Sequence, residues 1–297
     1  MHDYLRAIGY SKVKKNKDVR DILKSVLMQP TSEYVSSFPE ENDDAVFGEK
    51  VKEYANRLGI AVRGEYDEDG VFHVGYYFPY FKGHHATLKG EVSIEKQADQ
   101  DAYAGICDHV KVGVSLIFQL LNMTDYLDYM EFHKGSVFYS SVCLSGLSIS
   151  GKIILPLMKN DADVRRSKDQ SYNRERMIAA AREGDKDAIE SLTMEDMDTY
   201  TEISRRAKKE DVLTIVESYF MPYGIACDQY SIMGDILAVE KVQNSLTEEY
   251  IYILTVDCND LVFDICINKE DLMGEPLPGR RFRGNVWMQG MVDFMNL

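Results

Sequence analysis

Three histidines, His73, His84 and His85, crowd the aromatic stretch "FHVGYYFPYFKGHH". Grouped imidazoles raise the question of a metal site, because neutral imidazole is a common ligand for transition metals. The spacing argues against one. If two strands turn near Lys82-Gly83, His73 falls opposite Gly90 to Val92, away from the other two, and adjacent residues of a strand point to opposite faces. The expectation is therefore hairpin and half-buried strand histidines, with no metal and no cofactor. In "CDH", Cys107 and His109 bring a thiol near a base, yet a nucleophile and base so close in sequence need a third group to orient them, and none is identifiable. "DEDG", Asp67 to Gly70, lacks the twelve-residue ligand spacing of a calcium loop and reads as a turn. The patterns G-x-x-x-x-G-K-[ST], H-E-x-x-H and G-x-S-x-G do not occur, nor does G-x-G-x-x-G after a strand.

One constellation remains, "GRRFRGNVWMQG" from Gly279 to Gly290, which holds the only tryptophan. Period-two alternation sets Phe282, Val286 and Met288 on one face and Arg281, Arg283, Asn285, Trp287 and Gln289 on the other. Small barrels that bind single strands use such rows, arginine meeting phosphate and an aromatic ring stacking on a base. From Gly224 onward, however, acidic residues outnumber basic ones 12 to 5, so a polyanion meets net repulsion. The candidate contact face, Arg281, Arg283 and Trp287, is accordingly assigned to a protein surface. That surface is either another part of this chain, its carboxylates pairing with the arginines, or a partner. Inert barrel surface and nucleic acid rank below it.

The elements that must position these residues follow from periodicity. "DVRDILKSVLM" places Val19, Ile22, Leu23, Val26 and Leu27 on one helical face, and "DDAVFGEKVKEYANRLG" repeats the pattern with Val46, Phe47, Val51, Tyr54 and Leu58. "PTSEYVSSFPEEND" between them reads as a loop. From Gly59 the period becomes two: "IAVRGEY" and "VFHVGYYFPYF" flank the Asp69-Gly70 turn, and "HATLKGEVSIE" turns Ala86, Leu88, Val92 and Ile94 inward. "VKVGVSLIFQLLN", with Val112, Val114, Leu116, Phe118 and Leu120 alternating, reads as a strand. "TDYLDYMEFHKG" reads as a short helix, and "SVFYSSVCLSGLSISGKIILPLM" as two strands.

The polar segment "KNDADVRRSKDQSYN" separates this part from a helical stretch. There Gly184 ends one helix, Asp185 caps the next, and Thr193 with Asp196 resembles a capping box opening a third. In that third helix Glu195, Asp196 and Asp198 sit at the start and Arg205, Arg206, Lys208 and Lys209 at the end, complementing the macrodipole; docking of a partner along it is the other reading. Four further strands follow residue 224, with Asn259-Asp260 as a turn. The expected fold class is α+β. An N-terminal domain, residues 1–158, packs helices on an antiparallel sheet; residues 159–223 form a helical connector; residues 224–297 form a small β-barrel, OB-like.

Composition narrows the function classes. The 297 residues are 45% apolar and 28% charged with seven prolines, which is globular composition. No window approaches the roughly 18 apolar residues of a membrane span, and the charged start does not read as a signal peptide. Five cysteines at wide spacings, without a C-x-x-C pair, fit reduced thiols. A cytoplasmic protein is expected. The net charge of -15 opposes indiscriminate binding to nucleic acid or anionic lipid. The leading expectation is a non-catalytic protein acting through protein contacts. The alternatives are single-strand nucleic-acid binding by the barrel and an enzyme with a site between domains, near "VFHVGYYFPYFKGHH".

"RERMIAAAREGDKDAIESLTMEDMDTYTEISRR", "SYFMPYGIACDQYSIMGDI" and "GRRFRGNVWMQG", with "YLRAIGY" and "AYAGICDHVKVGVSLIF", resemble an uncharacterised bacterial family, the domain of unknown function numbered 3881, across essentially the whole chain. The resemblance implies no activity and no site residues. "AAAREGDKDAIESL" is also similar to the helical opening of bacterial sigma factors, but no helix-turn-helix with a basic recognition face follows it.

Overall fold

The computed structural model describes residues 2–37, 46–96, 102–108, 115–133, 137–157, 173–174, 176–181 and 183–294, without the side chains of residues 202 and 212. His109, Val112, Val114 and most of the polar boundary segment lie outside them. The described fold is mixed α+β and mostly sheet. A 3-10 turn, Asp3–Ile8, leads to α1, Asn16–Met28, whose buried face is Val19, Ile22 and Val26. A four-stranded sheet follows in the order β1 (Ser32–Ser37), β2 (Val46–Ala55), β3 (Leu58–Tyr66), β4 (Phe72–Phe81). All its pairs are antiparallel.

Two segments of this small sheet differ from the sequence expectation. Ser32–Ser37, read as loop, is an edge strand on β2. Val46–Ala55, read as helix, is the strand β2, and two features produced the helical spacing. Glu49 is buried beside Phe47 and Val51, so a charged residue interrupts an inward row of alternate positions. A bulge between Glu53 and Ala55 then advances Tyr54 inward by one extra residue. Phe47, Val51, Tyr54 and Leu58 consequently repeat like a helix face.

The second sheet contains β5 (Leu88–Lys96), β6 (Tyr103–Asp108), β7 (Ser115–Leu120), β8 (Val137–Ile154), β9 (Tyr219–Pro222), β10 (Gln229–Gln243), β11 (Tyr250–Cys258), β12 (Leu261–Asn268), β13 (Leu272–Met273) and β14 (Arg281–Val292). The segment expected to give two strands forms the single long β8. Asn259 and Asp260, at φ 55 and 60, close the β11–β12 hairpin as expected for a left-handed two-residue turn. Helix α2, Met123–Phe132, connects β7 towards β8; α3, Lys186–Arg206, and the short α4, Val212–Ile215, precede β9.

Hydrogen bonding closes this sheet on itself twice. One circuit runs β8, β14, β10, β11, β12 and back to β8; the other runs β8, β5, β6, β7, β14 and back to β8. Both share the antiparallel β8–β14 pair. Strands from either side of residue 158 are thus bonded within one sheet. Phe118, Val286, Met288, Phe282, Ile265 and Val256 belong to the core these circuits enclose. A second core lies on the outer face, where the N-terminal turn, α1 and the small sheet cover Leu147, Ile253, Cys266 and Trp287. Full burial of such side chains contributes about 1.5–3 kcal/mol each. Among the described residues no helix is long and apolar enough to cross a membrane.

Candidate functional site

The strand β14 keeps the alternation expected of it. Phe282, Val286 and Met288 are fully buried, and the irregularity opposite Asn285 adds a residue to β8, not to β14. The other face is covered by the chain itself at Arg281, Trp287 and Gln289. Trp287 is 7% exposed; its ring lies 4.7 Å from that of His2, 5.4 Å from Tyr4 and 6.4 Å from Phe78. Its Nε1 donates to Asp228 Oδ2 at 2.6 Å, and burial pushes that carboxyl up from its ordinary value despite the indole bond. Arg281 is buried, and its guanidinium donates to the carbonyls of Leu213 at 2.8 Å, Val216 at 2.9 Å and Leu155 at 3.2 Å. Arg283 is exposed and donates to the Tyr219 hydroxyl at 3.0 Å. Gln289, fully buried, accepts from the Phe81 amide and donates to the Pro79 carbonyl, both at 2.9 Å. With the Ser145 hydroxyl on the Phe81 carbonyl, it satisfies the free edge of β4.

The histidines fall differently from the expected hairpin. Strand β4 pairs with β3, whereas β5 joins the other sheet. His73 therefore lies opposite Glu65 and bonds Asp67 Oδ2 at 2.6 Å, inside the Asp67–Gly70 turn where Gly70 has φ 74. His84 and His85 lie in the loop after β4, not in a strand, and their rings are 3.6 Å apart. The rule of opposite faces does not apply to that loop, so the two rings converge. Gly83 allows this: a Cβ there would meet the Leu144 carbonyl at 2.5 Å, a clash with backbone. Cys107 is buried and its thiol is pushed up to about 11 by burial, then by Asp108, which leaves it unactivated.

What the sequence did not disclose is the partner of that loop. Asp264 on β12 has a side chain with 0% exposure, and its Oδ2 lies 2.5 Å from His84 Nδ1 and 2.7 Å from Arg57 Nη1. Its Oδ1 accepts from the Thr255 hydroxyl at 2.8 Å. Arg57, at φ 67 in the β2–β3 turn, also reaches the Lys82 carbonyl at 3.1 Å and Glu240 at 3.6 Å. One signal was legible, a lone carboxylate inside the apolar run "LVFDICI".

Burial alone raises a carboxyl pKa, but hydrogen bonds from Arg57, Thr255 and His84 hold Asp264 below its ordinary value. A depressed folded-state pKa contributes stability that is present above the unfolded value near 3.9 and is lost as pH falls through the folded value. Asp264→Asn is thus expected to be less stable than wild type at neutral pH, the gap narrowing as pH drops below about 4. Urea midpoints across that range check it; a gap independent of pH refutes the assignment.

Helix α3 supplies the remaining candidate surface. Gly184 at φ 90 and Asp185, whose side chain accepts from the amides of Asp187 and Ala188, start it as expected. It then continues unbroken through Thr193, whose hydroxyl bonds back to the Ile189 carbonyl at 2.8 Å instead of capping a new helix. Glu195 and Asp196 consequently sit mid-helix, paired with Arg174 at 3.3 and 2.6 Å, and the macrodipole does not account for them. Ile189, Met197, Tyr200 and Ile203 are exposed, Tyr200 by 74%. With half-buried Leu192 they fall on one side of a repeat of about 3.6 residues.

No curated protein and no solved structure matches the chain. A family model does, over residues 5–290, described as "Domain of unknown function, E. rectale Gene description (DUF3881)". The chain belongs to that family.

Proposed function

We propose that this is a non-catalytic protein that works by binding another protein, and that α3 is its docking element. The observation that carries the reading is the apolar stripe Ile189, Met197, Tyr200 and Ile203, displayed to solvent along a capped helix. An amphipathic helix binds by laying such anchors into an apolar groove. Asp187, Glu190, Glu195, Asp196, Asp198 and Glu202 against Lys186, Arg205 and Arg206 make the helix acidic, so the complementary groove has a basic rim. Methionine suits this use because its side chain adapts to irregular surfaces.

In the arginine and tryptophan strip Arg283 is the exposed member, and Arg281 and Trp287 support it from within. Arg283 lines a groove of about 500 Å³ with Leu213, Val216, Tyr219 and Met221. Arg281 braces the groove from beneath through the carbonyls of Leu213 and Val216, and Trp287 anchors the same strand on the N-terminal turn. The two strand circuits are read as small barrels. The five cysteines are free, which supports a reducing compartment such as the cytoplasm.

Paired substitution of Tyr200→Glu with Ile203→Glu is expected to leave stability within about 0.5 kcal/mol, since both side chains are exposed. It is also expected to weaken capture of a reproducible cellular partner by the full chain at least about tenfold. Arg283→Ala is expected to weaken the same capture less. Undiminished capture by the paired variant, or no reproducible partner for the wild type, refutes the proposal.

A further inference from the structure

The loop after β4 carries His84 and His85 onto Asp264, and we propose that these three side chains bind a divalent first-row transition-metal ion. Each offers one ligand atom, and these atoms lie within 4.8 Å of one another. Two imidazoles and one carboxylate are a donor set of borderline softness. It suits Zn²⁺, Co²⁺, Ni²⁺ or Fe²⁺ better than Mg²⁺ or Ca²⁺, which take mainly oxygen ligands.

The surroundings are those of a supported site. Thr255 holds Asp264 Oδ1 at 2.8 Å, which orients the carboxylate so that Oδ2 faces the histidines; hydrogen bonds of this kind behind a ligand fix its geometry. Gly83 presses the loop against β8 without room for a Cβ, so the histidines are carried by a tightly packed segment. His84 is 46% exposed on its side chain, which opens a path for a hydrated ion. Cys143 lies beside this loop, but the ligand atoms that converge are those of His84, His85 and Asp264.

Arg57 gives the site a distinctive sign. Its Nη1 lies 2.7 Å from Asp264 Oδ2 and 3.0 Å from His84 Nδ1, so a guanidinium supplies the positive charge the ligands call for and competes with an incoming ion. It has partners to withdraw to: the Lys82 carbonyl, Glu240 and the face of Phe81, 5.4 Å from its guanidinium carbon. The ion thus replaces a cation that is already held there, and removing that cation's charge strengthens metal binding. A hydrogen-bond network with only a structural role has no such dependence.

The full chain, stripped with a chelator and titrated calorimetrically with zinc chloride at neutral pH, tests this. One equivalent is expected to bind. His84→Gln and His85→Gln are each expected to weaken binding at least about tenfold, and Arg57→Gln to strengthen it about tenfold. His73→Gln, at the far end of β4 beside the Asp67–Gly70 turn, is expected to leave it unchanged. The histidine substitutions lie in a loop open to solvent, so folding of these variants, checked by circular dichroism, is expected to be preserved. Zinc binding by wild type no tighter than by a His84→Gln/His85→Gln double variant overturns the proposal, as does a loss of affinity in Arg57→Gln.

Discussion

Arg63→Ala is expected to lower the unfolding free energy by about 3–5 kcal/mol, the cost of leaving a buried charge without its partner. Arg63 is fully buried on β3, directly across the ladder from Glu49 on β2. Its Nε donates to Glu49, its Nη1 to the Tyr76 hydroxyl at 3.0 Å, and its Nη2 to the carbonyls of Leu120 at 3.1 Å and Leu121 at 2.7 Å. The last two belong to the end of β7 and the turn after it, so this one side chain latches the small sheet to the large one. Truncation orphans the Glu49 carboxylate and two buried carbonyls together. The paired change Arg63→Met with Glu49→Leu removes both charges and is expected to recover most of the loss. Urea denaturation followed by Trp287 fluorescence measures all of these variants; a loss below about 1 kcal/mol for Arg63→Ala contradicts the latch.

Trp287→Ala is expected to cost a further independent 3–5 kcal/mol or so, the usual range for emptying a buried aromatic site. The ring is the piece on which His2, Tyr4 and Phe78 meet β14, so its loss is expected to release the N-terminal turn to proteolysis as well. The milder Trp287→Phe retains the ring stacking but strips Asp228 of its indole donor. The Asp228 carboxyl, already raised by burial, then rises further. A raised folded-state pKa means the folded protein holds the proton more tightly than the unfolded chain, so stability falls as pH climbs from the unfolded value near 3.9 through the folded one. The deficit of Trp287→Phe relative to wild type is therefore expected to widen above about pH 4, whereas the change in the Asp264→Asn gap is confined to pH values below it. Denaturation followed by circular dichroism checks both variants; a deficit that does not change with pH removes Asp228 from the account.

The parts of the fold legible from sequence are those where one physical signal acts alone. The turns at Asp67–Gly70 and Asn259-Asp260 rest on local backbone preference, and β14 alternates because one of its faces is uniformly apolar. The strand β2 was hidden by Glu49: an inward charge is readable only when its partner Arg63 is known to stand opposite, and pairing is a tertiary fact. The bulge at Tyr54 compounded this by shifting the repeat. The candidate site has the same character. His84 and His85 stand out as residues, but their convergence depends on a loop held by Gly83 against Leu144, and Asp264 arrives from a strand remote in sequence. The helix α3 was legible in its cap and obscured at Thr193, whose hydroxyl has two available partners.

The β8–β14 pair also sets the order in which the chain can acquire its structure. Every route around either strand circuit passes through Arg281–Val292, and its partner Val137–Ile154 lies much earlier in the sequence. During synthesis β5, β6, β7 and β8 emerge well before the strand that joins β7 to β8, and β8, paired with β5 at its start, waits for β12, β13 and β14 along the rest. Closure of loops this long is slow and its reward comes all at once. Folding is therefore expected to be a late and cooperative event timed by the last strand, and the interval before that strand arrives is when the nascent chain is most exposed to aggregation.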